Sequence, residues 1–253
     1  MTITIITATY NSELTVKKTI DSILNQTIKD FEYIIIDGNS DDGTAQIIKD
    51  NEYRFKNSNI TFKWVSEPDK GIYDAWNKGI NLATGNWISF LGSDDYYTDK
   101  ALEVYRDVIL NKSNNIDLIY SNVDLIYKEK TIKKINGTWK WSVFRRYMNI
   151  AHVGAFHNRA YFDRYGLFNV DYKIAGDYEL LLRAKEELKA FKIDFISAYM
   201  NDGGISNNNV NLAFRETMKA KINTARVPYL LCLYDFMLAS IKYRIKIILK
   251  WVK

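Results

Sequence analysis

Cysteine, proline and histidine are scarce in this 253-residue chain: there is one cysteine, Cys232, with two prolines and two histidines. A lone thiol excludes an internal disulfide framework and any cysteine-based zinc cluster. With two prolines, no repeat and no low-complexity stretch, there is no hinge-like linker, so one continuous domain is expected. Long apolar runs are missing too. The stretch Thr2 to Ile6 is too short and lacks the basic flank of a signal peptide, and Tyr229 to Ile241 ends at Lys242 before it could cross a bilayer. A cytoplasmic location is therefore expected. The net charge is +5, but lysines and arginines alternate with acids along most of the chain and the excess collects at the C-terminus. That pattern argues against a nucleic-acid partner.

Aromatic residues, by contrast, make up 14% of the chain, and 18 residues are tyrosine. Such side chains suit a surface that handles bases and sugars. Apolar and amphipathic runs alternate from the start. Strands are expected at Ile3 to Ile6, Tyr33 to Ile36, Thr61 to Val65 and Trp87 to Leu91. Helices are expected at Leu14 to Gln26, after the polar turn Asp37 to Thr44 through Ile48, and from about Ile72 to Leu82. This order implies an α/β fold with a mainly parallel sheet, and it gathers Thr7 to Asn11, Asp37 to Asp42 and Gly92 to Asp95 at one sheet edge. The run Trp87-Ile88-Ser89-Phe90-Leu91 reads as a strand buried on both faces, ending at Gly92 and the adjacent carboxylates Asp94 and Asp95. Ligands bind at that end of open α/β sheets. Neighbouring carboxylates repel, and an all-oxygen pair favours Mg²⁺ or Mn²⁺. Taken alone, the pair equally suits a turn in which Asp95 or Thr98 caps a helix starting near Lys100.

The second half is less regular. Paired strands are expected at Leu118 to Tyr127 and Thr131 to Ile135, a helix at Ser142 to Asn149, and a strand at Ile193 to Tyr199. Another helix starts at Gly176 and Asp177. In the tail, Lys242, Lys246, Lys250 and Lys253 share one helical face, and Ile241, Ile245, Ile248 and Val252 share the other. This is the pattern of a helix lying in an anionic membrane interface, with Tyr243 and Trp251 at headgroup depth. It is also the pattern of a helix packed on the domain or on a second copy.

Four segments in order, Thr4 to Asn11, Ile36 to Thr44, Ser66 to Gly79 and Gly92 to Asp95, resemble the successive signatures of family 2 glycosyltransferases with the GT-A fold. The likeness extends through Gly176-Asp177-Tyr178-Glu179 and Gly203-Gly204-Ile205-Ser206. It implies a Rossmann-like, mainly parallel sheet with flanking helices over residues 1–226, nucleotide-binding to about residue 97 and acceptor-binding beyond, followed by amphipathic C-terminal helices over 227–253. The implied activity is inverting transfer of a hexosyl or N-acetylhexosaminyl group from a nucleotide-diphosphate sugar, UDP-sugar first, to a hydroxyl of a glycan or lipid-linked acceptor. The expected cofactor is Mn²⁺ or Mg²⁺, and the expected site is the inner face of the plasma membrane.

By the same resemblance, Ala8 and Tyr10 line the base pocket and Asp37 accepts a hydrogen bond from base or ribose. Asp69, Lys70 and Asp74 lie near the nucleotide with Asn77 in support, Asp94 contacts ribose or sugar, and Asp95 holds the metal. Gly38 stands where a second carboxylate is more usual, which leaves the partner of the base open. Asp177 takes the position of the catalytic base. A free aspartate, near pKa 3.9, is a weak base, so burial or a neighbour such as Glu179 must raise it. His152 faces the acceptor, completes the metal shell, or is structural; His157 reads as structural. Trp139 stacks on a sugar or packs in the core, and Gly204 belongs to a closing segment or a surface loop. A sugar nucleotidyltransferase is the alternative enzyme, but its glycine- and arginine-rich loop is absent from Thr7 to Asn11. A non-catalytic assembly subunit is disfavoured because Asp94, Asp95 and Asp177 are all retained.

Overall fold

A computed structural model describes residues 3–112, 115–204 and 209–251, and the side chains of 246–251 are not described. Nine strands form one sheet: β1 (Ile3–Thr9), β2 (Glu32–Asp37), β3 (Thr61–Ser66), β4 (Trp87–Gly92), β5 (Tyr96–Tyr97), β6 (Leu118–Tyr127), β7 (Lys130–Ile135), β8 (Ala155–Asn158) and β9 (Ala190–Asn201). Its order is β3-β2-β1-β4-β8-β6-β9-β5, with β7 hairpinned onto β6. The first four strands are mutually parallel, as the β-α alternation requires. Register pairs Ala8 with Gly92, Thr9 with Asp37 and Asp37 with Ser66, so the polar segments that follow these strands emerge side by side.

Alternation along each strand sends side chains to opposite faces. Ile34 and Ile36 join Ile6 and Phe90 on one face, under α3 (Ile72–Leu82), α6 (Arg159–Tyr165) and α7 (Gly176–Leu182). Tyr33 and Ile35 join Ile5 and Leu91 on the other, under α1 (Val16–Leu24), α2 (Thr44–Lys56) and α4 (Ala101–Lys112). Beyond β4 the sheet is mixed. β8 runs antiparallel to β4 and β6, and β9 parallel to β6. Strand β8 escapes a sequence reading because it is four residues long, too short to show a period. The helix expected over Ser142 to Asn149 is a single turn, α5 (Trp141–Phe144). The neighbouring Trp139 packs its ring on Phe144, at 4.5 Å between centroids.

Two helices close the described chain, α8 (Val210–Asn223) and α9 (Tyr229–Trp251). They pack through Phe214 against Phe236 and Tyr243, so Tyr243 turns inward and away from solvent. Lys221, 2% exposed, is held by Asp235 at 2.5 Å, and Arg146 takes the other Asp235 oxygen at 2.7 Å. On the outer side of α9, Leu230, Tyr234, Met237, Ile241 and Ile245 are exposed at spacings of one helical face. Among the described residues, no helix is long and apolar enough to cross a membrane. Lys253 and Val252, and the side chains of Lys246, Ile248, Lys250 and Trp251, lie outside the described residues.

Candidate functional site

A cleft of about 1670 Å³ opens along the carboxyl ends of β1, β2 and β4 and continues towards α7, α8 and α9. Ala8, Tyr10, Asp69, Asp94, Asp95, His152, Asp177 and Gly204 all line it. Asp177 and the adjacent pair Asp94 and Asp95, more than eighty residues apart in the chain, thus share one cavity.

Asp94 and Asp95 sit in the tight turn after β4. The Thr19 hydroxyl donates to the Asp95 carbonyl at 2.7 Å, tying the turn to α1. From the end of β9, the Asn201 N–H donates to Asp95 Oδ1 at 3.0 Å and its amide Nδ2 donates to the Asp94 carbonyl. Burial, reinforced by the neighbouring Asp94 charge, pushes the Asp95 carboxyl up to about 8, and burial raises Asp94 as well. Two buried carboxylates that repel in this way suit a hard divalent cation, whose charge would offset the repulsion. Among the described residues no group of three or more His, Cys, Asp or Glu could hold a metal. A cation held by these two carboxylates would take its further oxygens from a ligand and water.

Asp177 stands in the first turn of α7, and three contacts position it. Its Oδ1 accepts from the Tyr178 N–H at 2.8 Å and lies 3.4 Å from the Tyr73 hydroxyl, which itself donates to the Ile174 carbonyl at 2.6 Å. Gly176 lets α7 press onto Tyr73: a Cβ there would lie 2.7 Å from the ring. Glu216 of α8, 7% exposed, accepts the N–H groups of Lys173, Ile174 and Ala175 at 2.8 to 2.9 Å and pins the segment entering α7. Burial, with a smaller repulsion from Glu216, pushes the Asp177 carboxyl up to about 6. The repelling neighbour is Glu216 and not the expected Glu179, which is tied to Arg183 at 2.6 Å and to Thr224 at 2.8 Å. Glu216 carries no signal in the sequence; it is one acid in an ordinary amphipathic helix.

On the nucleotide side, Tyr10 is 64% exposed and offers its ring to the cleft. Asp37, at the end of β2, is fully buried and does not reach the cleft. Its oxygens accept from the hydroxyls of Thr9, Ser40 and Ser66 and from the Ser40 N–H, at 2.5 to 3.0 Å. A Cβ on residue 38 would stand 2.6 Å from Asp69 Oδ2. The glycine therefore makes room for a carboxylate arriving from the loop after β3, and Asp69 fills the place where a second acid was missed.

The profile of glycosyl transferase family 2 matches residues 4–171, about two thirds of the chain. The chain belongs to that family. Similar proteins include a PGL/p-HBAD biosynthesis glycosyltransferase of Mycobacterium tuberculosis, 29% identical over 221 residues, covering 83% of this chain and 81% of the relative. The UDP-Glc:alpha-D-GlcNAc-diphosphoundecaprenol beta-1,3-glucosyltransferase WfgD of Escherichia coli is 32% identical over 132 residues, 52% of this chain and 49% of WfgD. The mannosyltransferase PcManGT of Pyrobaculum calidifontis, solved with GDP-Man and Mn²⁺, superposes with a TM-score of 0.69 at 16% identity. That match covers 94% of this chain and 70% of PcManGT. The fold of this family 2 glycosyltransferase is accordingly the GT-A type, with a curled central sheet and flanking helices.

Six expected site residues do not line the cleft of this glycosyltransferase: Asp37 and Glu179, whose partners are given above, and Asn77, Lys70, Asp74 and Trp139. Asn77 exchanges two 2.9 Å hydrogen bonds with the Phe168 backbone, fixing the loop before α7. Asp74 accepts from the Lys70 N–H at 3.0 Å, and Lys70 is exposed, so the pair shapes the loop carrying Asp69. Trp139 packs on Phe144, and its N–H donates to the Tyr120 hydroxyl at 2.7 Å. His152 does line the cleft, stacked on Phe90 at 5.3 Å. Neither of its ring nitrogens finds a hydrogen-bond partner among the described residues, and Trp76 Nε1 beside it has none. Burial holds His152 well below the usual histidine range and His157 down at about 3. Both are therefore neutral at physiological pH.

Proposed function

We propose that this family 2 glycosyltransferase moves a hexosyl or N-acetylhexosaminyl group, with inversion, from a nucleotide-diphosphate sugar to a hydroxyl of a glycan or lipid-linked acceptor. The observation that carries the reading is the convergence of Asp94, Asp95 and Asp177 on one cleft, with the Asp177 carboxyl pushed up to about 6. At that value the group is largely ionised at neutral pH yet far more basic than a free aspartate, the compromise a general base needs. A UDP-sugar is the first donor to test, as in the name of WfgD.

Tyr10 stacks on the base over Ala8, and Asp69 presents its carboxylate to base or ribose. Asp37, buried at the end of β2, orders the turn with Thr9, Ser40 and Ser66. Lys70 and Asp74 keep the Asp69 loop in shape, and Asn77 holds the loop before α7 through Phe168. Asp95, with Asp94 beside it, would hold Mn²⁺ or Mg²⁺, which when bound would stabilise the negative charge that gathers on the leaving diphosphate. His152 and Trp76 Nε1, buried and unpartnered, give the cleft floor a polar edge for sugar hydroxyls. Asp177 takes the proton from the acceptor hydroxyl as it attacks the anomeric carbon, and the bond from that carbon to the diphosphate oxygen breaks. Gly203 and Gly204, which begin the expected closing segment, line the cleft, and residues 205–208 that follow them lie outside the described residues.

The exposed apolar stripe of α9, with Lys242 and Arg244 beside it, supports peripheral contact with an anionic membrane at the inner face of the plasma membrane. The test of the whole reading is a thermal-shift screen of nucleotides and nucleotide sugars with and without Mn²⁺. A donor that binds only the native state raises the melting temperature. The expected result is a Mn²⁺-dependent shift with one nucleotide diphosphate, lost in Asp95→Ala. No shift with any nucleotide would overturn the proposal.

A further inference from the structure

Lys173, in the segment entering α7 and shortly before Asp177, lines the same cleft. Its N–H is held by Glu216 at 2.8 Å, and the same carboxylate holds Ile174 and Ala175, so one buried acid sets the position of both Lys173 and Asp177. From there the exposed side chain crosses to the loop after β3. Its ammonium donates to the Lys70 carbonyl at 2.5 Å and to the Val170 carbonyl at 3.4 Å. Gly71 keeps that approach open: its φ is +116°, which favours glycine, and a Cβ there would lie 3.7 Å from Lys173 Nζ.

The ammonium has partners but no counter-charge. Among the described residues Lys173 forms no ion pair, whereas Lys78, Arg146 and Lys221 each meet a carboxylate. Two carbonyls take two of its three N–H donors and offset none of its charge, which leaves one donor for a ligand. Other cations line the cleft in different places. Arg146 and Lys221 share Asp235, and Lys133 and Lys134 stand on the β7 hairpin strand. Lys173 is set apart by what it joins, the Asp69 loop on one side and the segment carrying Asp177 on the other.

That span has a chemical counterpart in the donor. In a nucleotide-diphosphate sugar the diphosphate lies between the nucleoside, here assigned to the Asp69 side, and the anomeric carbon, here assigned to the Asp177 side. A compact ammonium suits phosphate oxygens and gives little to a neutral base. We propose that Lys173 is a diphosphate-binding residue, whose ammonium donates to a phosphate oxygen of the donor and stays with it as the bond to the anomeric carbon breaks. The proposal rests on the glycosyltransferase reading and adds to that site a cation carried by the chain itself.

The test is isothermal titration of the full chain with UDP and with uridine, in EDTA and again with Mn²⁺. Lys173→Gln keeps a side-chain N–H for the Lys70 carbonyl and loses the charge. The expected result in EDTA is about tenfold weaker UDP binding, the size of one lost charge-assisted hydrogen bond, with uridine affinity and melting temperature unchanged. Lys173→Arg should restore most of the UDP affinity, and added salt should weaken UDP binding to the wild type more than to Lys173→Gln. Unchanged UDP binding in Lys173→Gln overturns the proposal. So does a loss shared equally by UDP and uridine, the mark of a bridge that only holds two loops together. Should UDP bind under neither condition, GDP and guanosine take its place; failure of both nucleotides on the wild-type chain overturns the glycosyltransferase reading, and this proposal with it.

Discussion

Replacing Asp177 by asparagine should abolish transfer and at the same time stabilise the protein. In the folded state its carboxyl is pushed from an ordinary value of 3.8 to about 6, chiefly by burial with a contribution from Glu216. Below pH 4 the group is protonated in both folded and unfolded chains, and its ionisation costs nothing. Between pH 4 and 6 the unfolded chain ionises while the folded one resists, so a penalty grows, and above pH 6 it is fully present. Its upper bound is roughly 3 kcal/mol; because Asp177 keeps part of its surface in the cleft, solvent screening brings the figure down to about 1.5 kcal/mol. Asn keeps the Oδ1 that accepts from the Tyr178 N–H, so the local frame survives the change. For a chain of this size the gain corresponds to about 3–6 °C in melting temperature. Differential scanning calorimetry of wild type and Asp177→Asn at pH 4 and pH 7.5 measures it. A gap that opens only at the higher pH is expected. An asparagine variant no more stable at pH 7.5, or a gap independent of pH, would refute the reasoning.

Other consequences follow from the contacts around that carboxylate. Gly176→Ala forces a methyl to within 2.7 Å of the Tyr73 ring; it should destabilise the fold by about 1–3 kcal/mol and lower turnover far more than donor affinity, read by urea denaturation beside initial rates. Glu216→Gln removes the charge that helps raise Asp177 and weakens three backbone hydrogen bonds. The acid limb of kcat/KM should move to lower pH and stability should fall by about 2 kcal/mol or more. Met237→Glu with Ile241→Glu, on the exposed stripe of α9, should abolish sedimentation with anionic vesicles and leave the melting temperature unchanged. Deleting everything after Arg226 is a poorer probe. It removes Asp235 and strands the buried Lys221 ammonium, at a cost of about 3–5 kcal/mol.

The nucleotide half of the fold is legible because its chemistry is local. A parallel strand that is buried on both faces must be a short apolar run, and the polar segment after it must lie at the carboxyl edge. Ala8, Tyr10, Asp94 and Asp95 could therefore be placed from their neighbours alone. Asp69 is named through the family resemblance, but its fit against residue 38 is not legible, because it depends on an absence: Gly38, just past β2, leaves the space that Asp69 Oδ2 occupies. A missing Cβ leaves no pattern along a chain.

The acceptor half is harder to read for a related reason. Strand β8 is too short for a period, and Glu216 reaches Lys173, Ile174 and Ala175 across about forty residues with nothing at either end to announce the pairing. The ion cluster of Arg146, Lys221 and Asp235 joins the turn after α5 to α8 and α9 in the same way. These contacts hold α7, α8 and α9 in place, and hence fix both where Asp177 points and how wide the groove beside it is. On the proposed function, donor handling is written in contiguous motifs, while acceptor choice would reside in packing between distant helices. Substitutions along α8 and α9 should accordingly change which acceptor is used and leave the nucleotide untouched.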